Sequence, residues 1–522
     1  MAQTLNEIEA EKTFYERNNA FEWRFEFPEV LNDKGDFMGF DVVIGNPPYI
    51  YNRDLETSQR DFLKNKYQAA DDLYVYFTHE GLSILNPNGF LSLITPNTYF
   101  TLSTRTSYRQ KLLNYSQLKF TYSGYCFEDA FVETMICLLS KTPKNEDNVT
   151  FVSSPNDYIN YNSYFIKKEL LTNNMFCRFY IPTEINISLN NKINVPLKPV
   201  SEKYLNLLIG KDKTDEIGIY NKKIEPQNYT FLGLISEGEQ GLVTGNNSKY
   251  VGCIVDSFEQ KNIIDGKFVS ILSEFLKEQF DSNNLNYLYT LAEQYKAKKK
   301  NPSVFGKFYQ YKTVFRNNVK LYNELSESEQ KEGGESDLWV FYNRGNTEGY
   351  KWFVPYTECI NWSREYVEEL KIGEKTNSRW QGAKYFSVTG FGWVDYFSER
   401  IKSFFVEEGV YSKNIVKLHS INPLVSYKYI VSILNSRFMT YYVKNFITST
   451  HTLQINDGRL VPIIVPTTQQ LKQHEILVDK ILYEKKLNID SDTTALESEI
   501  DQLVYQLYGF TEEEVKIVEG KE

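Results

Sequence analysis

The sequence predicts a protein of the α/β class: a partial Rossmann-like sheet, then a mixed α/β region, then C-terminal helices. Up to about residue 145, short apolar strands alternate with helical segments in units of roughly 25 residues, which is typical of α/β domains. From there to residue 466, short strand-like pieces and many Asn, Gly and aromatic residues replace that pattern. Helical apolar spacing returns after residue 467. These observations predict three parts, at 1–145, 146–466 and 467–522.

Local patterns place each element of the first part. Phe21–Phe27 alternates apolar and polar residues, which predicts a half-buried strand. Phe40–Ile44 is a short apolar run, typical of a strand that is covered on both faces. Asn86–Gly89, with the sequence Asn-Pro-Asn-Gly, predicts a turn because these residues break helices. The remaining predicted elements are helices at Thr57–Tyr67, Leu73–Leu85 and Tyr108–Asn114, and strands at Phe90–Ile94, Leu118–Ser123 and Thr134–Leu139.

The rest of the chain gives a clear pattern only near its C-terminus. Tyr180–Pro466 shows no sustained helical period, so we expect mixed, loop-rich structure there. Gln469–Leu487 and Thr494–Leu507 have the apolar spacing of helices, and Gly509 stands where a C-cap is expected. Four tryptophans in the middle part are interpreted as core residues: Trp352, Trp362, Trp380 and Trp393.

Composition excludes several classes of protein. The chain has 522 residues, enough for about three domains. With 41% apolar and 24% charged residues, wholesale disorder is excluded. The longest strongly apolar stretches, such as Leu460–Pro466, fall far short of the ~18 residues of a membrane helix, and no leader pattern opens the chain. We therefore expect a cytoplasmic protein without a membrane partner. The five Cys are scattered and predict neither a disulfide framework nor a metal site.

Charge is unevenly distributed along the chain. The total is acidic, with 58 Lys and Arg against 68 Asp and Glu, but Leu471–Glu522 holds 13 acidic and six basic residues. Lys296–Lys320 holds eight basic residues, no acidic residue and several aromatic residues. This run is either an ordinary solvated face or a segment that contacts phosphates while its aromatic side chains pack or stack.

The most informative motif is Asn46-Pro47-Pro48-Tyr49, directly after the predicted strand Phe40–Ile44. The two prolines fix the backbone and remove two N–H donors, so carbonyl groups around them lack internal partners. Asn46 adds a side-chain carbonyl and Tyr49 an aromatic face, at the end of a strand where ligands bind in α/β sheets. The set suits an exocyclic amine, held by two acceptors while its ring stacks on the tyrosine. The alternative is a rigid turn with a packed tyrosine.

Asp41–Ile50 (Asp-Val-Val-Ile-Gly-Asn-Pro-Pro-Tyr-Ile) resembles the catalytic motif of N6-adenine DNA methyltransferases. Asp72–Phe77 and Leu85–Pro96 resemble the next two motifs of the gamma class, and Phe127–Ile136 resembles its base-pocket region. Further segments resemble the specificity region and tail of type IIG restriction-modification enzymes and related phage-defence methyltransferases: Gly241–Asn247, Leu434–Ser436, His451–Asn456, Leu460–Pro462 and Ile500–Phe510. The resemblance runs from about Phe21 to the C-terminus, and the first motif is the specific one.

The resemblance implies a fold, a reaction and a set of site residues. The first part would be the carboxyl portion of a sheet of the S-adenosylmethionine-dependent methyltransferase type, and 146–466 a DNA target-recognition domain. Asn46 and the Pro47 carbonyl, set by Pro48, would accept hydrogen bonds from the amino group of a flipped adenine in double-stranded DNA. Tyr49 would stack on that base, and Phe127 would pack from another side unless it is a core residue. S-adenosylmethionine would be the methyl donor, and no metal is implied.

One family feature is missing from the sequence. The family's glycine-rich cofactor loop precedes the catalytic motif, and the 45 residues before Asn46 contain no such loop. Gly241–Asn247 lacks the spacing to replace it. We therefore expect a split subunit, a truncated product or a degraded copy, completed by an N-terminal methyltransferase half or M subunit. Strand Phe40–Ile44 would then present an open apolar edge.

Three functions are compatible with the sequence. The chain is an adenine methyltransferase component that is active when its missing half is supplied, or a DNA-binding specificity subunit that methylates nothing. A third possibility is methylation of a glutamine amide on a protein, which the long basic and aromatic region argues against. For DNA recognition, Arg and Asn read base edges whereas Lys more often holds phosphate. The candidate contacts, each also compatible with an ordinary surface residue, are Asn246, Lys298, Lys299, Lys300, Arg316, Arg344, Arg379 and Lys384.

Overall fold

A computed structural model of the chain divides it into two compact units, Met1–Val195 and Pro196–Glu522. The division falls within one helix, Glu184–Ile209. Within the described ranges, no helix is both long and apolar enough to cross a membrane. The structure describes residues 9–10, 13, 21, 23–67, 71–127, 132–142, 147–153, 162–209, 214–298, 312–346, 349–373, 377–397, 399–448 and 452–521.

The first unit alternates strands and helices. Its described strands are β1 (Phe40–Gly45), β2 (Leu85–Pro96), β3 (Ser116–Gly124), β4 (Thr134–Ser140), β5 (Asn148–Ser153) and β6 (Asn162–Lys167). Its described helices are α1 (Trp23–Glu26), α2 (Thr57–Tyr67), α3 (Leu73–Ile84), α4 (Thr106–Leu113), α5 (Lys168–Thr172) and α6 (Glu184–Ile209). The six strands form one mixed sheet in the order β1-β2-β4-β3-β5-β6. This arrangement confirms the predicted α/β class, and the sheet extends past residue 145 because β5 pairs with β3.

Strand β1 lies at one end of this sheet and pairs in parallel with β2. Phe40 lies opposite Leu85 and Val42 opposite Phe90, so β2 carries extra residues between these two pairs. The extra residues are Asn86–Gly89, where the Asn88 amide donates to the Asn86 side-chain oxygen at 2.9 Å. The turn predicted at this sequence is therefore present as an irregularity inside a strand.

The two faces of the sheet near β1 differ in exposure. Helix α3 covers one face, where a Cβ at Gly81 would approach Leu91 to 2.7 Å. On the opposite face Val42 and Ile44 are 58% and 78% exposed, and Phe90 and Ile136 are each 36% exposed. An apolar surface beside a free strand edge is unusual for an isolated domain, because such edges promote association.

Among its described residues, the second unit contains three sheets, with helices between their strands and after them. The sheets have the orders β10-β9-β13-β12-β11 with β16 on β12, then β15-β14-β17-β8, and β18-β7. The described strands are β7 (Tyr229–Phe231), β8 (Ser236–Gln240), β9 (Val251–Val255), β10 (Thr313–Phe315), β11 (Val319–Lys320), β12 (Trp339–Asn343), β13 (Glu358–Asn361), β14 (Gly390–Val394), β15 (Ser403–Val406), β16 (Val410–Tyr411), β17 (Ile415–Ser420) and β18 (Pro462–Ile464). The described helices are α7 (Thr214–Lys223), α8 (Leu232–Ile235), α9 (Asn247–Tyr250), α10 (Phe258–Leu276), α11 (Leu285–Lys298), α12 (Glu327–Glu332), α13 (Arg364–Ile372), α14 (Tyr427–Leu434), α15 (Arg437–Tyr442), α16 (Ile455–Gly458), α17 (Thr468–Leu487), α18 (Thr494–Leu507) and α19 (Glu512–Val518).

Tryptophans mark the core of the second unit, as expected. Trp352, Trp362 and Trp393 are at most 1% exposed. Trp380 is partly buried and stacks on Trp362, with ring centroids 5.6 Å apart. The two predicted C-terminal helices are confirmed as α17 and α18, and Gly509 has the positive φ of +67° expected just beyond a helix end.

Two sequence predictions about the elements are wrong. Phe21–Phe27 is not a strand, because Trp23–Glu26 forms helix α1. Positions 23 and 27 fit both a period of two and a helical i, i+4 spacing, and the rings of Trp23 and Phe27 stack with centroids 5.7 Å apart.

Tyr180–Pro466 is also more helical than expected, since it holds the 26-residue α6 and the 19-residue α10. Pro196 and Pro199 lie inside α6, so residues that usually end helices obscured it. The start of α10 did carry a local signal, because the Ser257 side chain caps the Gln260 amide at 3.1 Å. The elements predicted at Phe40–Ile44, Thr57–Tyr67, Leu73–Leu85, Phe90–Ile94, Tyr108–Asn114, Leu118–Ser123 and Thr134–Leu139 are confirmed with small shifts at their ends.

Candidate functional site

The loop Asn46–Tyr49 directly follows β1, at the end where the parallel neighbour β2 also finishes. Pro47 is buried, whereas Asn46 and Pro48 are exposed and Tyr49 is half-buried. Within the described residues no hydrogen-bond partner is found for the Asn46 side chain. The loop therefore offers an amide oxygen to an external donor, held in place by a proline anchored in the unit.

Tyr49 is fixed by one hydrogen bond and faces a second aromatic ring. Its hydroxyl donates to the Ile94 carbonyl of β2 at 3.2 Å. Burial, with the Cys126 thiol as a smaller cause, raises the pKa of Tyr49 to about 12, so the hydroxyl stays protonated. The ring centroids of Tyr49 and Phe127 are 6.2 Å apart with an angle of 69° between their planes. Rings at this angle form a corner, in which one could stack on a planar ligand and the other contact its edge.

The segment that leads from Phe127 into β4 is tied to the end of β2. The Asn97 backbone amide donates to the Glu133 carbonyl at 3.0 Å, and the Asn97 side chain donates to the Glu133 carboxylate at 3.0 Å. Asn97 is buried, with 6% of its surface exposed. These bonds fix the start of β4 against the end of β2, the strand whose Ile94 carbonyl accepts from Tyr49.

A second cluster of polar side chains lies in the second unit, around Arg344. Two cavities of 390 and 310 Å³ share Tyr342, Arg344 and Asn414. The larger is also lined by Glu358, and the smaller by the loop Gly245–Asn247. The loop 412–414 is held by two backbone bonds, Ser412 to Asn343 at 2.9 Å and Lys413 to Leu242 at 3.1 Å. Three segments distant in sequence therefore converge on one polar concavity.

Arg344 and Glu358 form a partly buried pair in this cluster. Arg344 Nη1 lies 3.5 Å from Glu358 Oε1, with the two side chains 32% and 14% exposed. Burial raises the pKa of Glu358 to about 7 although Arg344 opposes the shift. Burial also lowers the pKa of Arg344. A carboxyl with this pKa exchanges its proton near neutral pH.

The other predicted DNA contacts are only partly brought together. Asn246 lies in the loop that lines the smaller cavity, where its side-chain oxygen accepts from Ser248 at 2.7 Å. Arg379 is exposed and its backbone pairs with Val243, just before that loop.

The remaining predicted contacts have separate surroundings. Arg316 pairs with exposed Asp256 at 2.6 Å, and exposed Lys384 lies over the Tyr385 ring at 5.2 Å. Lys298 ends helix α11, and its side chain, like the whole of Lys299 and Lys300, lies outside the described residues. The roles predicted for all these residues stay predictions.

Sequence reasoning missed several residues of both sites. Glu358 and Asn414 lack any local motif, and only the tertiary fold brings them to Arg344. In the first unit Asp72 falls inside a family-like segment, yet its contact with Asn52, three residues beyond Tyr49, has no sequence signal. Arg105, which pairs with Asp72 at 2.6 Å, has no motif of its own either.

Comparisons with known proteins show what the loop-bearing segment is similar to. Residues 1–126 match the family described as Eco57I restriction-modification methylase, so the predicted resemblance to restriction-modification methylases is confirmed. The matched segment includes Asn46–Tyr49 and three of the six described strands of its sheet, β1, β2 and β3. A protein of Methanocaldococcus jannaschii, named as a type II restriction enzyme and methyltransferase, is 28% identical over 174 residues. The match covers 32% of this chain and 14% of that protein.

A solved structure extends the likeness in fold over the chain. The type IIL restriction-modification enzyme MmeI, solved in complex with DNA, aligns with a TM-score of 0.50 and 12% identity. The alignment covers 95% of this chain and 58% of the MmeI chain. At this identity the likeness concerns fold alone. This chain thus spans 14% of the length of the archaeal relative and 58% of that of MmeI.

Proposed function

We propose that the chain provides the catalytic loop and the DNA-recognition region of a site-specific DNA adenine N6-methyltransferase, in a restriction-modification or phage-defence system. The observation that carries this proposal is the Asn46-Pro-Pro-Tyr49 loop at the end of β1, where Asn46 is exposed and the Tyr49 ring faces Phe127. The match of residues 1–126 to restriction-modification methylases supports the class of reaction. The adenine specificity rests on the loop.

The loop residues would bind and orient the reacting amine. Asn46 Oδ1 and the Pro47 carbonyl would each accept one N–H of the adenine amino group, which must first leave the base stack. Tyr49 would stack on the flipped base, and Phe127 would contact its edge, as the 69° corner allows. Both N–H bonds are then directed at acceptors, so the nitrogen lone pair points away from them. Alignment of this kind accelerates transfer without a general base.

The described residues fit the part of such a site that binds the adenine amine better than the part that binds the cofactor. The Gly-rich loop expected for the cofactor is not found in the sequence, and the edge of β1 carries exposed Val42 and Ile44. S-adenosylmethionine, the proposed donor, would supply the methyl group and a thioether leaving group. We assign its main binding loop to an N-terminal methyltransferase half or M subunit that would also cover the exposed face beside β1.

The second unit would recognise the target in double-stranded DNA. Arg344, the loop Gly245–Asn247 and Asn414 converge in one concavity with donors and acceptors, which suits base edges in a groove. Lys298, Lys299 and Lys300, with Arg316, Arg379 and Lys384, are proposed as further contacts, with the lysines holding phosphates. The DNA-bound structure of MmeI concerns that protein, and supports this proposal through the shared fold.

A second candidate is a DNA-binding specificity subunit that methylates nothing itself. It is favoured by the same observation that calls for a partner: the exposed apolar residues Val42 and Ile44 at the strand next to the catalytic loop. Under this hypothesis Asn46 would have no role, and its replacement would leave methylation in the host unchanged.

Calorimetric titration of the purified chain with S-adenosylmethionine, with and without duplex DNA, tests whether this chain binds DNA while a partner binds the cofactor. We expect DNA binding without cofactor binding. Micromolar cofactor binding by the chain alone would overturn the proposal that the cofactor loop lies on a partner. Failure to bind any DNA, tested with genomic fragments from the host, would overturn the recognition role.

A further inference from the structure

The catalytic loop is joined to helix α3 by two hydrogen bonds just beyond Tyr49. The Leu73 amide donates to the Ile50 carbonyl at 3.0 Å. The Asn52 amide donates to Asp72 Oδ1 at 3.0 Å. On the helix side, the acceptor is Asp72 and the donor is Leu73, both at the start of α3. The position of that helix end therefore determines the course of the chain just beyond Tyr49.

The side chain of Asp72 does not cap the helix that this residue begins. It is the N-cap residue of α3, with φ −71° and ψ 156°, but its side chain makes no capping hydrogen bond. An N-cap aspartate normally accepts from the N2 or N3 amide of its own helix, which stabilises the helix by about 1 kcal/mol. Here the carboxylate instead accepts from the loop at Asn52. The Asp72 carboxylate therefore stabilises the loop and not the first turn of its own helix.

Arg105 holds this carboxylate in place. Its Nη2 lies 2.6 Å from Asp72 Oδ2, and its Nη1 lies 2.6 Å from Asp71 Oδ1. The side chains of Arg105, Asp71 and Asp72 are 10%, 13% and 11% exposed. Two adjacent carboxylates with so little solvent need a cation between them, and one planar guanidinium can donate to both at once. A lysine ammonium has no such fork.

We propose that Arg105 is a positioning residue for methyl transfer: through Asp72 and the Asn52 amide it fixes the loop that carries Asn46–Tyr49. The inference rests on the proposed function of that loop, and it adds a residue that acts on the loop through Asp72, at the start of α3. Arg105 ends a short 3-10 helix, Ser103–Arg105, and precedes α4, so the anchor connects the loop to a rigid part of the unit. Small displacements of reacting groups cost large factors in rate, which makes such an anchor functionally significant.

The direct test is hydrogen–deuterium exchange of the full chain, followed in peptides that cover residues 49–55. Arg105→Gln should speed exchange there about tenfold, as expected when a hydrogen bond to a charged group is lost. The matched control is Arg53→Gln, which removes an arginine from the same stretch. Arg53 pairs with Asp54 at 3.7 Å, with side chains 79% and 58% exposed, and should leave exchange unchanged.

A second variant removes the anchor without disturbing the buried charges. Asn52→Pro deletes the amide that donates to Asp72 and leaves Arg105, Asp71 and Asp72 in place. The Asn52 side-chain oxygen that it also removes has no hydrogen-bond partner among the described residues. Position 52 begins a short 3-10 helix after an extended Tyr51, where proline is well accommodated. We expect the same local increase in exchange as for Arg105→Gln. If Arg105→Gln also speeds exchange in β2 and β4, that variant is destabilised more widely and only Asn52→Pro tests the proposal. Unchanged exchange at 49–55 in Asn52→Pro would overturn it.

Methylation measured in the host, where any partner is present, separates this inference from the proposed function. With the anchor weakened by Arg105→Lys, turnover should fall about tenfold or more while DNA affinity changes less than twofold. Full turnover in Arg105→Lys and in Asn52→Pro would overturn the positioning role. A third outcome is that the variants change local exchange but the wild-type protein methylates no DNA. This outcome would support the structural anchor and contradict the proposed function.

Discussion

The rings of Tyr49 and Phe127 stand at 69° to each other, with centroids 6.2 Å apart, beside an Asn46 amide that has no partner among the described residues. This relationship joins two segments that are 78 positions apart in the sequence. A corner of two aromatic rings next to a free carbonyl suits a planar base that carries an amino group. The predictions below follow from this geometry and from the groups around it.

The stacking role of Tyr49 can be separated from its hydrogen bond. Tyr49→Ala should lower methyl transfer about 10- to 100-fold, because loss of aromatic stacking costs about 1–3 kcal/mol per base. Tyr49→Phe loses only the bond to the Ile94 carbonyl and should stay within a few-fold of wild type. Initial rates at saturating DNA, measured with the N-terminal methyltransferase half or M subunit supplied, give both values. Equal losses in the two variants would assign the effect to the hydroxyl and contradict stacking.

Lys298, Lys299 and Lys300 are expected to contact phosphates. Replacing Lys298, Lys299 and Lys300 with Ala should weaken DNA binding and reduce the slope of log K against log salt by up to about three, since each lost phosphate contact contributes about 0.9. A matched control replaces three exposed lysines of the acidic C-terminal segment, Lys472, Lys480 and Lys516. Titrations at several salt concentrations measure the slope, and an unaltered slope in the first variant would return these lysines to ordinary surface.

The buried carboxyl of Glu358 should make stability depend on pH. Its pKa is about 7 in the folded chain and near 4.5 when unfolded, so the folded state holds an extra proton between these values. The stabilisation is full below pH 4.5 and is lost as pH rises through 7. Glu358→Gln removes this proton exchange, so the variant should gain up to about 3 kcal/mol relative to wild type over that window. Denaturant unfolding at several pH values measures the difference, and parallel pH curves would contradict the assignment.

The free edge at β1 should make the isolated chain prone to associate. Val42 and Ile44 are 58% and 78% exposed, so Ile44→Lys should leave folding intact while placing a charge on the edge. We expect less self-association in light scattering at high protein concentration. Phe165→Lys, on the strand at the other end of the sheet and 64% exposed, is the control. Equal behaviour of both variants would show that the β1 edge has no special tendency to associate.

The sequence predicted that the loop Asn46–Tyr49 follows a strand, but it did not predict the contacts that hold this loop. Asn46–Tyr49 and the strand before it are local features, written in consecutive residues, so the residues alone are enough to place the loop. The Asp72–Asn52 bond joins positions 20 residues apart, and the Arg105 pairs with Asp72 and Asp71 join positions 33 and 34 residues apart. No periodicity in the sequence indicates such contacts.

The elements of the fold were likewise predictable where local residues determine them and not where distant contacts do. Short apolar runs located β1 to β4, whereas α6 was hidden by its two internal prolines. Trp23–Glu26 was mistaken for a strand because its aromatic spacing fits both periods. Arg344 was a candidate from its residue type, but Glu358 and Asn414 reach it only through the fold of the second unit.

The measurement that tests the central proposal most directly uses the organism that carries the gene, so that any partner is present. The chromosomal copy is replaced by an Asn46→Ala allele, and modified bases in genomic DNA are identified by mass spectrometry and single-molecule sequencing. We predict N6-methyladenine at one recognition sequence in the wild type and its loss in the Asn46→Ala strain, with the variant protein still bound to that DNA in vitro. Unchanged methylation in the Asn46→Ala strain, or methylation of a different base, would contradict the proposed role of the loop.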